Sequence, residues 1–169
     1  MKKLLVLFAF LLFSVKTFAT EIPNIPADIA IEKLKNGNSR FTTYQMKHPN
    51  LSKTRRLQLA KGQHPYAVII ACSDSRTTPE LIFDQGLGDL FVIRNAGNIL
   101  NEDVLGSVQY AVLRLGVNLV VVMGHENCGA VGAAMKDNKE APGIEAIKES
   151  IKPAVEKCKL SDNFSYDNV

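Results

Sequence analysis

The stretch Tyr66-Ala67-Val68-Ile69-Ile70-Ala71-Cys72-Ser73-Asp74-Ser75-Arg76 decides the fold. Its first half, Tyr66 to Ala71, is a short apolar run with no polar alternation, the pattern of a strand buried on both faces of a parallel sheet. Its second half turns polar within one residue. A second stretch repeats the design: Leu119-Val120-Val121-Val122-Met123 runs into Gly124-His125-Glu126-Asn127-Cys128-Gly129. Both clusters stand where a buried strand is expected to end, and in an open parallel sheet that carboxyl edge is where ligands collect. Cys72, His125 and Cys128 offer two thiolates and an imidazole. A catalytic zinc takes three such protein ligands and keeps a fourth position open.

Two plainer readings compete. Cysteines in an ordinary domain are usually buried apolar residues, and Cys72 with Cys128 could instead form a disulfide between adjacent strand ends. An inert core cysteine, however, needs no charged neighbours, and Asp74 and Arg76 flank Cys72. The balance favours a metal site. Cys158 lies in an expected helix with no partner motif and reads as an incidental, half-buried thiol.

Outward from these clusters the chain alternates helices and strands. A helix is expected from Ala27 to about Lys35, broken by Gly37-Asn38, and a second from Ser52 to Lys61, ended by Gly62. After the strand Tyr66–Ala71 come a short helix from Thr78 to Phe83 with Pro79 in its first turn, a strand from Leu90 to Arg94, and a helix from Val104 to Leu115. The strand Leu119–Met123 follows, then a helix from Gly129 to Lys136 and a longer one from Gly143 to Lys159 with a kink expected at Pro153. Thr20 to Pro26 reads as an extended arm. Strands separated by helices imply βαβ units. The expected fold is therefore α/β, a central, mainly parallel β-sheet flanked by helices with an N-terminal helical arm.

The 169 residues carry a formal charge of +3. Lys2, Lys3 and Lys16 account for all of it, and they border the apolar stretch Leu4 to Val15 that precedes Thr17-Phe18-Ala19. A short basic start, an apolar core and small residues at the cleavage position read as a secretory signal peptide over residues 1–19, cut after Ala19 and too short for a comfortable membrane span. The mature protein is then a near-neutral single domain, residues 20–169, expected in the periplasm or outside the cell. Neutrality gives no support to nucleic-acid binding, and no membrane association is expected after cleavage. In an oxidising compartment, bound zinc would mask the Cys72 and Cys128 thiolates.

Cys72-x-Asp74-x-Arg76 with His125-x-x-Cys128 resembles the β-class carbonic anhydrases. The resemblance extends to Gly37-Asn38-Ser39-Arg40-Phe41, to Phe91-Val92-Ile93-Arg94-Asn95-Ala96-Gly97-Asn98, to Tyr110-Ala111-Val112 and through Gly129-Ala130, covering roughly Ala27 to Val155. It implies one Zn2+ per chain, held by Cys72, His125 and Cys128. It also implies that an acidified water attacks carbon dioxide to give bicarbonate and a proton. Asp74 and Arg76 are implied as catalytic. Paired to Arg76, Asp74 accepts the water's hydrogen bond. In a closed form Asp74 itself ligates the zinc. Gln63, Phe91, Tyr110 and Gly129 match substrate-binding positions of the plant-type branch. A second branch closes its site through a bicarbonate bound by tryptophan, valine and arginine. Ile69, Thr77 and Arg94 stand at those positions here, and the chain contains no tryptophan. The open form is therefore expected at neutral pH. His48 and His64 are given no role, and Glu126 and Asn127 read as turn residues.

The family's site is built across a dimer, so a homodimer or higher homo-oligomer is implied. Family members usually continue for several tens of residues with another helix and a last strand, so on this resemblance the domain is expected to be C-terminally short. Three rivals follow. One is a related zinc hydrolase of carbon disulfide or carbonyl sulfide. Another is an inactive, truncated zinc-binding homologue. The third, a periplasmic thiol–disulfide protein, lacks the C-x-x-C motif.

Overall fold

A computed structural model of the chain describes residues 25–159. The expected signal peptide and cleavage point, with most of the expected extended arm, lie outside the described residues. The first helix, α1, spans Ala27–Thr42, and α2 spans Lys53–Leu59 with Ser52 capping its start by accepting from the Arg55 N–H. Strand β1 (Ala67–Cys72) leads to α3 (Pro79–Ile82), β2 (Leu90–Asn95), a 3-10 turn over Ala96–Asn98, and α4 (Glu102–Leu115). Strand β3 (Val120–Met123), α5 (Gly129–Ala134) and α6 (Pro142–Lys159) follow. The expected kink notwithstanding, α6 runs through Pro153 as one helix.

The strands form a parallel sheet in the order β2-β1-β3. Strand β1 lies in the centre and every one of its residues is buried, which is why its sequence carries no polar alternation. Ala67, Ile69 and Ala71 face a core built with Ala30 and Leu34 of α1. Val68 and Ile70 face the opposite way, onto Val104, Ala111 and Leu115 of α4. Beyond the carboxyl ends of the strands, Cys72 and Cys128 join Val131, Ala134, Ile151 and Val155 of α5 and α6 in a third cluster. The chemistry-bearing residues therefore sit on a packed floor.

Two expectations need correction. Gly37-Asn38 does not break α1, which continues five residues past Gly37 to Thr42. Gly37 is buried because the helix there meets the end of α3: a Cβ at this position would fall 1.7 Å from the Phe83 carbonyl oxygen. The next turn completes the joint, with Asn38 Nδ2 donating to the Ile82 carbonyl and Arg40 Nε to Asp84 Oδ2 at 2.6 Å. The glycine serves close approach, not termination. Strand β3, expected to be buried, is an edge instead. Among the described residues it pairs only with β1, leaving Val120 40% and Val122 66% exposed. Val121 and Met123 pack inward, so its apolar sequence reports one covered face only. No described helix is long and apolar enough to cross a membrane.

Candidate metal centre

The register of the sheet assembles the site. Cys72 is the last residue of β1, paired with Asn95 of β2, and Ala71 pairs with Met123, so the turns after β1 and β3 leave the sheet side by side. From the second turn come His125 and Cys128, the residue that precedes α5. The two thiols are buried, with Sγ atoms 4.0 Å apart. A disulfide requires about 2.05 Å, and neither cysteine is in one. Sulfurs bound to one tetrahedral zinc at about 2.3 Å stand about 3.8 Å apart, close to the observed spacing. The donor atoms of Cys72, His125 and Cys128 all lie within 4.8 Å of one another.

His125 is oriented for the same purpose. Its Nδ1 lies 2.9 Å from the carbonyl oxygen of Glu126. A carbonyl only accepts, so Nδ1 carries the proton and Nε2 presents its lone pair. That Nε2 is buried and has no hydrogen-bond partner, the state of a ligand atom awaiting a cation. Burial resists ionisation of Cys72. Hydrogen bonds from the backbone N–H groups of Gly97 and Asp74, with Cys128 alongside, outweigh burial and hold the thiol below its ordinary range. Gly97 donates to Cys72 Sγ at 3.3 Å from a left-handed backbone, φ 71°, with Ile151 close against it, so a side chain here would be strained. Two buried sulfurs and one imidazole, their donor atoms within 4.8 Å of one another, fit zinc.

Asp74 stands beside this cluster, its Oδ2 4.0 Å from His125 Nε2. Arg76 clasps the carboxylate with its fork: Nε donates to Oδ1 at 2.9 Å, Nη2 to Oδ2 at 2.8 Å, and the Arg76 backbone N–H also reaches Oδ1. These hydrogen bonds hold the Asp74 carboxyl well below the usual carboxylate range. Arg76 Nη2 also donates to the Asn127 carbonyl, tying the two turns together. A cavity of about 240 Å³ opens beside the metal ligands, lined by Gly97, Ile99, His125, Cys128, Val131 and Ile151.

The remaining substrate positions divide. Gly129 opens α5 next to Cys128, exposed and with open space around it. Gln63 does not reach this centre. It is exposed in the loop before β1, at the opposite end of a six-residue strand that spans about 20 Å. Phe91 pairs in register with Val68, four residues and about 13 Å short of Cys72. It packs on Tyr110 of α4, ring centroids 6.2 Å apart, and Tyr110 is half exposed. Ile69 is a core residue. His48 uses its backbone N–H on Asp84, and His64 is exposed ahead of β1. Sequence reasoning missed what Arg94 does here: its guanidinium grips main-chain carbonyls beside the site. The signal was a single charge near the end of an otherwise apolar strand.

The carbonic anhydrase family model matches residues 67–168. The chain belongs to the β-class of carbonic anhydrases. Carbonic anhydrase 2 of Mycobacterium tuberculosis is 46% identical over 138 residues, covering 79% of this chain and 67% of the relative. The carbonic anhydrase of Mycolicibacterium smegmatis is 44% identical over the same length. Among solved structures, the β-carbonic anhydrase CcaA superposes with a TM-score of 0.59 at 33% identity, over 78% of this chain and 66% of that one. A tetrameric β-carbonic anhydrase of Sordaria macrospora superposes with a TM-score of 0.57 at 26% identity, over 80% and 69%. This β-carbonic anhydrase chain thus spans about two thirds of the length of these relatives.

Proposed function

We propose that the protein catalyses the reversible hydration of carbon dioxide to bicarbonate and a proton. The observation that carries the reading is the convergence of Cys72, His125 and Cys128 on one point beside an Asp74–Arg76 pair. Zinc held by those three residues would supply a Lewis acid that acidifies water. The chain's own groups do the rest. Arg76 keeps Asp74 ionised and turned away from the metal position, and Asp74 accepts a hydrogen bond from the attacking water and so aims its lone pair. The Gly129 N–H stands ready for a substrate oxygen, and the apolar floor around Val131 and Ile151 favours uncharged carbon dioxide over water.

Gln63, Phe91 and Tyr110 enter this reading through a second copy of the chain, as in a homodimer or a larger assembly of dimers. Their distance from the chain's own metal position and the apolar exposure of Leu105, Tyr110, Val112 and Leu113 on α4 both support it. We assign the protein to the periplasm or cell exterior, on the strength of residues 1–19.

Stopped-flow carbon dioxide hydration on metal-quantified protein tests the proposal. Activity is expected to scale with zinc up to one per chain, vanish on chelation and return on zinc addition. Fully zinc-loaded protein with no hydration above the buffer rate would overturn it.

A further inference from the structure

We propose that Arg94 is a positioning residue that fixes the Cys72–Asp74 turn, and with it the spacing between the metal-ligating sulfur and the Asp74 carboxylate. Arg94 lies one residue from the end of β2, half-buried, its side chain reaching across to β1. Its Nε donates to the carbonyl oxygen of Cys72 at 2.8 Å and its Nη2 to that of Asp74 at 2.5 Å. The two acceptors are two residues apart on a segment that has run past the last residue paired to β3. Past that point the Ser73 N–H bonds back to the Asn95 carbonyl of β2, and the Gly97 N–H reaches Cys72 Sγ. Arg94 is the side chain of β2 that ties the main chain of this turn back to the sheet at two points.

Chemistry explains why arginine stands here. The guanidinium presents parallel N–H groups in one rigid plane and binds two carbonyls at once, which an ammonium on a flexible stem does not do. The division of labour with Arg76 is also legible. Arg76, its side chain 61% exposed, holds the carboxylate of Asp74, a contact that can open. Arg94 holds the main chain of the same residue, assisted by Thr77, whose N–H and hydroxyl donate to the Asp74 carbonyl. One arginine sets the frame and the other holds the movable part. Partners that orient metal ligands from behind are typically worth about 10- to 100-fold in metal affinity, and Arg94 acts on the backbone of one ligand directly.

The inference rests on the zinc reading above, and its test uses metal binding, not turnover. Apo protein is reconstituted with Zn2+ in competition with a chromophoric chelator, and with Co2+ to record thiolate charge-transfer and tetrahedral d–d absorption. Arg94→Lys keeps the charge and loses the fork. Arg94→Ala removes both and leaves a space that added guanidinium ion can fill. Both are expected to release zinc about 10- to 100-fold more readily and to show an altered cobalt spectrum, well below their unfolding temperatures. Guanidinium ion is expected to restore Arg94→Ala toward wild type at concentrations too low to denature. Where Arg94→Ala does not fold, Arg94→Lys alone decides. Folded variants with wild-type zinc affinity and cobalt spectra would overturn the proposal, as would a loss of melting temperature without any change in metal release. Wild-type protein that binds no zinc would instead overturn the reading on which it rests.

Discussion

Asp74 meets two demands at once: it stands within reach of the metal position, and it is kept from it by Arg76. Its depressed carboxyl pKa leaves it ionised across the neutral range, so at neutral pH it acts as acceptor and never as donor. Asp74→Asn preserves shape and loses the charge. Its turnover is expected to fall about 10- to 100-fold with zinc content unchanged, measured by stopped-flow on metal-quantified protein. Asp84 illustrates a purely structural use of the same chemistry. Burial opposes its ionisation, but the N–H groups of Lys47 and His48 and the Arg40 guanidinium bring its pKa down from 3.8 to about 2. The lowered value means that Asp84 stabilises the fold fully above about pH 4 and loses that contribution as pH falls toward 2. Asp84→Asn is expected to cost about 2 kcal/mol at neutral pH and to flatten the pH dependence between those limits, read by urea unfolding at a series of pH values. The three metal ligands were legible in sequence because strand ends and ligand chemistry coincide there. Arg94 was not, since a side chain that binds main-chain carbonyls leaves no partner residue to recognise. Asp84 was overlooked for the same reason, two of its three donors being backbone N–H groups.

At the scale of elements, the helix–strand alternation was readable because β1 is covered on both faces and α4 on one. Local patterns fail where a neighbour decides the outcome. Gly37-Asn38 carries the local signature of a helix stop, yet the residues after it are held helical by Asn38 and Arg40 against the α3 end. A side chain at Gly37 would meet backbone, which cannot swing aside. Gly37→Ala is therefore expected to destabilise the protein by about 3 kcal/mol, the upper end of overpacking penalties, despite alanine's better helix propensity. Equilibrium urea denaturation checks this, and a stabilised variant would show that α1 ends at Gly37 after all. Strand β3 is the opposite case. Four consecutive apolar residues imply burial, but an edge strand covered on one face needs only Val121 and Met123. Val120 and Val122 are apolar for a reason that the described residues of one chain do not supply.

For the whole molecule, a second copy of the chain would explain both that surplus of apolar surface and the remote placement of Gln63, Phe91 and Tyr110. In an isologous pair, each chain would lend its Gln63 to the partner's metal centre while receiving the partner's in return. This arrangement makes a prediction that no single-chain site shares. Cys72→Ser removes a metal ligand and leaves Gln63 intact. Gln63→Ala does the reverse. Each homo-oligomer is expected to be inactive or severely impaired, for different reasons. Unfolded and refolded together at equal concentration, with zinc present, half of the dimers would be mixed, and each would carry one centre with both its metal ligands and its borrowed glutamine. About a quarter of all sites should then be functional, giving a quarter of wild-type activity from two crippled parents. If each chain instead built its site alone, mixing would yield no more than the average of the parents, because no redistribution of chains could bring Gln63 across the length of β1 to the zinc.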